Sequence, residues 1–405
     1  MATDCARWRW ANVAVLAAAA CSAAGCRTEG ACDIYEAECQ RDIFYSVLDA
    51  RGLAWDAWAS PPPMEVITQE QFRALLEENA KGQPAPGLSW DPALRLLGLL
   101  DRDASSQQES IDSQVESVVA FYSSLTQRVT IIERNPRPSV DSSSRTLAHE
   151  IVHALQDRDV GLRRYVSAAT SGDHALALKS MIEGEAVLFE LLTDLRWRQL
   201  SPMQVDWTGF FGDFSASLDE AVSASESRWA ATQLLLPYYL GSQYLHSAYA
   251  RGGVAEVEHA FLSQPGSMAE VADVYGHPRV RAALSCQGPA APPGYLEVGS
   301  TRLGAAGLYA FAVRQVTPDL SMDLMASWSD DRLRFYKSPE GASAVSWTVR
   351  MAGARAPSVN AQALRAAAAA AGARVESRGS GEELVIVGAE DPAVLSAWDL
   401  MACGE

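Results

Sequence analysis

Apolar residues recur at helical spacing along most of this chain and alternate at strand spacing in a few short stretches. The spacing predicts helices at 39–51, 69–80 and 92–100, with Pro61-Pro62-Pro63 as a breaker after the first and a Gly/Pro-rich loop at 82–87. Strands are predicted at 118–122 and 128–133; in the second, Val129 and Ile131 share one face and Thr130 and Ile132 the other. Residues 135–143 read as a loop in which Asp141, Ser142 or Ser143 can cap a helix at 144–157. That helix has a stripe of Leu147, Ala148, Ile151, Val152 and Leu155 to bury. A second helix, at 173–198, is apolar on most sides and so is predicted to be buried. A third helical region, 217–250, is expected to be interrupted near Pro237 and to end at Gly252-Gly253.

The proline-rich stretch 288–294 reads as a linker. Beyond it come a helix (303–314), strands (332–336 and 345–351), a helix (359–371), a strand (383–387) and a last helix (392–402), a small C-terminal α/β unit. The chain is thus expected to comprise a leader at 1–26, a segment at 27–60 carrying Cys32 and Cys39, a main domain at 61–287 and the C-terminal unit at 295–405.

Composition adds a few limits. With 405 residues, 48% hydrophobic and 20% charged, the chain can build a substantial core. A formal charge of −17 and no clustered basic face argue against a nucleic-acid partner. Arg7 and Arg9, a short apolar run at 11–20, and Ser22-Ala23-Ala24-Gly25 ahead of Cys26 resemble a bacterial lipoprotein signal. The resemblance implies a lipid anchor at Cys26 and a place in the cell envelope, facing the periplasm or on the outer membrane; the alternative is an ordinary cleaved signal and secretion. The run is shorter than the roughly 20 residues that span a bilayer. Cleavage before Cys26 leaves Cys32, Cys39, Cys286 and Cys403. An oxidising compartment favours pairing them, and of the possible connectivities Cys32–Cys39 with Cys286–Cys403 is preferred.

The chemistry centres on His149-Glu150-Ile151-Val152-His153. Positions four apart lie one turn on, so His149 and His153 present their rings from one helix face to one metal ion, with Glu150 beside them. This is zinc-ligand spacing, and Glu150 is placed to take a proton from water and deliver it to a leaving amine. Asp157, a further turn along, is a candidate acceptor for His153 or simply a surface carboxylate. A third ligand must come from elsewhere. Met181-Ile182-Glu183-Gly184-Glu185-Ala186 offers two carboxylates, and periodicity favours Glu185, which sits in the stripe of Leu178, Ile182, Phe189 and Leu192.

Together, His149-Glu150-x-x-His153, Glu183-Gly184-x-Ala186 and Pro237-Tyr238-x-x-Gly241 resemble the gluzincin metallopeptidases. The resemblance makes Glu183 the third zinc ligand and Tyr238 the donor to the tetrahedral oxyanion; Tyr239 is its neighbour and rival. It also implies that the strand at 128–133 pairs with extended substrate. Leu147 to Glu150, Ala154-Leu155-Gln156-Asp157, the Glu-Gly-Glu-Ala box, Gly252-Gly253 and Tyr275-Gly276-His277-Pro278 are similar to uncharacterised bacterial HExxH proteins. In those a glycine-rich turn is expected near 326–332, where this chain has serines. His277 reads as a second oxyanion donor, a substrate contact or, as a lone histidine before proline, a structural residue. No G-x-M-E-N sequence is present, which disfavours an aminopeptidase. His174, His246 and His259 receive no role.

The expected fold is α+β: a zincin-like, mainly helical catalytic domain with a small antiparallel sheet, plus the C-terminal unit. The expected function is zinc-dependent (Zn2+) hydrolysis of a peptide or protein substrate in the cell envelope. The rivals are an inactive zincin-fold binding or scaffold lipoprotein and a metal-dependent hydrolase of a non-peptide amide or ester.

Overall fold

A computed structural model describes residues 30–55, 60–82, 89–274, 282–352, 357–378, 382–400 and Cys403. The leader, Cys26, the loop at 83–87 and His277 lie outside the described residues. In chain order the first elements are α1 (Ala37–Ala50), β1 (Met64–Thr68), α2 (Gln69–Gly82), α3 (Asp91–Leu96), α4 (Ser106–Ser117), β2 (Ala120–Ser123) and β3 (Arg128–Glu133). The middle is helical: α5 (Val140–Val160), α6 (Leu162–Ser167), α7 (Gly172–Trp197), α8 (Trp207–Ala224), α9 (Arg228–Leu262) and α10 (Met268–Ala272). The last part holds β4 (Leu296–Thr301), α11 (Gly304–Ala312), α12 (Pro318–Ala326), β5 (Trp328–Lys337) and β6 (Ser343–Met351). It closes with α13 (Pro357–Ala371), β7 (Arg374–Arg378), β8 (Glu383–Ala389) and α14 (Pro392–Ala397). The protein is mixed α+β and mainly helical.

By compactness the chain divides into two interleaved units, and α7 runs unbroken from one into the other. The first unit takes the chain up to Asn79, Ile111–Gly161 and Ala186–Phe210. Its sheet has the order β1-β3-β2, with β1 parallel and β2 antiparallel to β3. Helix α5 packs against α1 and against β2 and β3. Val129, Ile131 and Ile132 are fully buried and Thr130 nearly so, because the central strand is covered on both faces.

Helix α5 begins earlier than expected. Ser139 caps it, its hydroxyl accepting from the Ser142 amide. Ser142 and Ser143, which read as loop, lie buried in its first turn, and Ser144, where the helix was expected to start, has an Oγ that both accepts from Cys32 N at 3.1 Å and donates to Cys32 O at 3.0 Å. A polar run can be helical and buried when a neighbouring segment satisfies its hydroxyls. Cys32–Cys39 lies at disulfide distance, in line with the preferred pairing, and so does Cys286–Cys403.

The second unit takes Ala80–Ser110, Leu162–Glu185 and Phe211–Glu405. Its sheet, β4-β5-β6-β8-β7, is antiparallel throughout, so the C-terminal part is α+β where a small α/β unit was expected. β4, β7 and α12 escaped the sequence reading; β4 is largely exposed and β7 an edge strand, which leaves little apolar alternation.

The expected break at Pro237 does not occur: α9 passes through it, and the real gap falls between Ala224 and Arg228. Proline cannot bond the carbonyl four residues back, and that carbonyl, Gln233 O, instead receives Lys179 Nζ at 3.5 Å. Gly252-Gly253 interrupts the helix where its end was expected: both glycines have non-helical dihedrals, Gly253 with φ of 66°, and two helices meet there across a kink within the span 228–262. The supposed turn at 326–332 is the end of α12 and the start of β5. There Asp331 is fully buried and accepts from Leu303 N, Gly304 N, Trp328 Nε1 and Trp347 Nε1 at 2.8–3.1 Å. Asp173 accepts from Ala305 N and Met268 N at 2.8 and 3.1 Å. Burial pushes its carboxyl up to about 6, against the pull of those amides.

Candidate metal centre

His149, Glu150 and His153 lie mid-way along α5 at 6%, 7% and 9% exposure. Their rings stand edge to face with centroids 4.7 Å apart. Each histidine is held through Nδ1: His149 by Glu190 Oε2 at 3.2 Å, and His153 by Gln156 Oε1 at 2.8 Å. A carboxylate or amide oxygen at Nδ1 selects the tautomer with the proton there, which leaves the Nε2 lone pair for a metal.

His149, His153 and Glu183 offer ligand atoms all within 4.8 Å of one another. Glu183 is half-buried on α7. Glu185, which periodicity favoured, is buried in the body of that helix with its charge felt by Tyr165. Two imidazoles and a carboxylate are a donor set that suits zinc with an open position, so the residues present fit the expected ion.

Glu150 Oε2 accepts from the Tyr122 backbone amide of β2 at 2.7 Å, and the Tyr122 hydroxyl donates to Asp157 Oδ2 at 2.8 Å. Burial first, and the Asp157 carboxylate second, push the Tyr122 phenol up, so it stays protonated as that donor. Asp157 therefore serves Tyr122, and Gln156 fills the place proposed for Asp157 at His153. The strand at 128–133 is central, paired on both sides, and so has no free edge for substrate; β2 is the edge strand beside Glu150.

The glycines of the two resembling motifs have a packing reason. A Cβ on Gly184 would lie 2.5 Å from Gly241 Cα, and one on Gly241 would lie 3.0 Å from Gly184 Cα, so α7 and α9 cross there backbone on backbone. Glu183 adjoins this crossing, and Tyr238 stands half-buried on α9 one turn before Gly241. Tyr239 is buried against Phe211 and Phe214, with hydrogen bonds to Ser215 and Gln243, and burial pushes its phenol up. It is a core residue.

The other described histidines have structural settings. His174 Nδ1 accepts from Thr170 N, His246 packs on Phe211, and His259 lies in the last turn of α9. The sequence reading missed Glu190 and Gln156. Glu190 lies seven residues after Glu183, two turns along the same side of α7, and Gln156 one turn after His153. Those spacings were the available signal.

Comparison with models of known protein families, with curated proteins and with solved structures returns no match.

Proposed function

We propose that this protein is a zinc-dependent peptidase of zincin-like, gluzincin type, acting in the bacterial cell envelope and anchored by lipid at Cys26. The observation that carries the reading is the convergence of His149, His153 and Glu183, with Glu150 set between the histidines. His149, His153 and Glu183 are the residues that would hold the ion. Zinc, when bound, supplies Lewis-acid polarisation and a lowered pKa for water.

The chain's own groups do the rest. Glu190 and Gln156 fix the imidazoles, and the Tyr122 amide fixes Glu150. Glu150 takes the proton of the attacking water and passes it to the leaving amine. Tyr238 donates to the developing oxyanion, a contact of a kind whose loss typically costs about 2.7–4 kcal/mol. The outer edge of β2 is the place for an extended peptide to pair through its backbone.

Glu150→Gln is the discriminating variant, since it keeps side-chain volume and both histidines. Zinc content and thermal stability should match wild type, while hydrolysis of a peptide library falls at least about 10²-fold. Wild-type protein that carries full zinc, cleaves no member of a diverse library and is indistinguishable from Glu150→Gln in cells is a binding or scaffold lipoprotein, not a peptidase.

A further inference from the structure

The connection between α7 and α8 carries an unusual apolar tip. Leu200 is 42% and Met203 92% exposed, and Val205, Trp207 and Phe210 are only half-buried. The tip is nevertheless tightly organised. Ser201 and Gln204 form a capping box: Gln204 Oε1 accepts from Ser201 N at 2.7 Å, and Ser201 Oγ accepts from Met203 N at 3.3 Å. The Leu200, Gln204, Val205 and Trp207 amides donate to Leu195 O, Ser201 O, Pro202 O and Val205 O. The Trp207 indole donates to Pro202 O at 2.9 Å and its ring meets Phe210 edge to face. Apolar side chains thus project from a turn most of whose backbone amides are bonded internally, which favours entry into a low-polarity medium.

Position supplies the second line. Gly30 packs on the indole of Trp197, the last residue of α7, so closely that a Cβ there would fall 2.7 Å from Nε1. Cys26 precedes Gly30 by four residues, a reach of at most about 14 Å. A lipid on Cys26 would therefore leave the chain within that distance of Gly30, which packs on Trp197 three residues before the tip begins. The neighbouring cations are already engaged, Arg196 with Asp49 at 3.3 Å and Arg198 with Asp194 at 2.9 Å. The surface is suited to apolar insertion rather than to attraction by anionic headgroups.

We propose that residues 200–210 are a second membrane contact, with Met203 and Leu200 entering the acyl boundary and Trp207 at headgroup depth. The occupant is a phospholipid surface. The inference rests on the anchor in the function proposed above, and the test separates the two. Full-length protein is made in an exporting, lipidating bacterial host with Met203→Cys labelled by an environment-sensitive fluorophore. It is then mixed with phosphatidylcholine vesicles, with or without anionic lipid.

Flotation reports binding, brominated lipid and iodide report the label's surroundings, and mass spectrometry reports acylation of Cys26. The expected result is an acylated protein that floats at both lipid compositions, its label quenched by brominated lipid and shielded from iodide. An acylated, floating protein whose label stays in water overturns the tip and leaves the anchor standing; the tip would then face another protein or solvent. An unacylated protein that floats with its label buried supports the tip and removes the anchor. One that is unacylated and does not float overturns both.

Discussion

Replacing Gly184 by Ala puts one methyl group into the α7–α9 crossing. The new carbon would stand 2.5 Å from Gly241 Cα and nearer still to the Gly241 carbonyl group. Carbon atoms settle at about 3.5–4.0 Å, so the helices must part by roughly 1.5 Å along a contact with no side chain that can rotate away. Overpacking of this kind costs about 1–3 kcal/mol, and a backbone obstacle puts the cost at the upper end. Alanine returns up to about 1 kcal/mol of helix propensity. The net loss is about 2 kcal/mol. Gly212 is the matched control: it lies exposed within α8, and nothing is within 4 Å of a Cβ built there. Gly212→Ala should therefore stabilise by about 0.5–1 kcal/mol, a difference of nearly 3 kcal/mol between two chemically identical substitutions. Urea denaturation followed by tryptophan fluorescence and circular dichroism measures it. Equal stability of the two variants, or Gly184→Ala the more stable, would refute the close approach.

Three further outcomes are expected. Glu190→Gln, by loosening His149, should weaken zinc affinity by about 10–100-fold in a competitive chelator titration without changing the fold. Glu183→Gln should deplete zinc far more than Glu185→Gln, as read by metal analysis of the purified proteins. For Asp173, the folded carboxyl is raised to about 6 from an ordinary value near 3.9, so the stability it adds is complete below that ordinary value and is lost as pH rises through 6. Wild type should therefore lose on the order of 2–3 kcal/mol relative to Asp173→Asn between pH 4 and 6, with the difference flat above 7 in urea titrations at each pH.

Much of the centre was legible because it is written in helix periodicity. His149 and His153 need only the four-residue repeat, and the two candidate glutamates follow from the next helix. Choosing between Glu183 and Glu185 was beyond periodicity. That stripe describes burial, and both glutamates sit on a helix apolar on most of its surface, so its deepest face need not be the metal face. Pro237 misled because its missing donor is compensated by Lys179, a residue 58 positions away in sequence (237 − 179) that no local rule can supply. Ser142 and Ser143 misled likewise: they look like loop or cap, but the cap is Ser139 and the Ser143 hydroxyl donates back to Ser139 O and Val140 O within the first turn. β1 was missed because parallel pairing with β3 joins segments far apart in the chain.

Glu183, which would bind the ion, and Glu190, which steadies one of its histidines, sit on one uninterrupted rod, separated by about 10.5 Å along its axis and offset by only about 20° around it. Such a pair moves together. A rotation of α7 carries both carboxylates off their targets in the same instant. The helix thus ties the hold on His149 to the position of the third carboxylate, so that the orientation of one rod sets both.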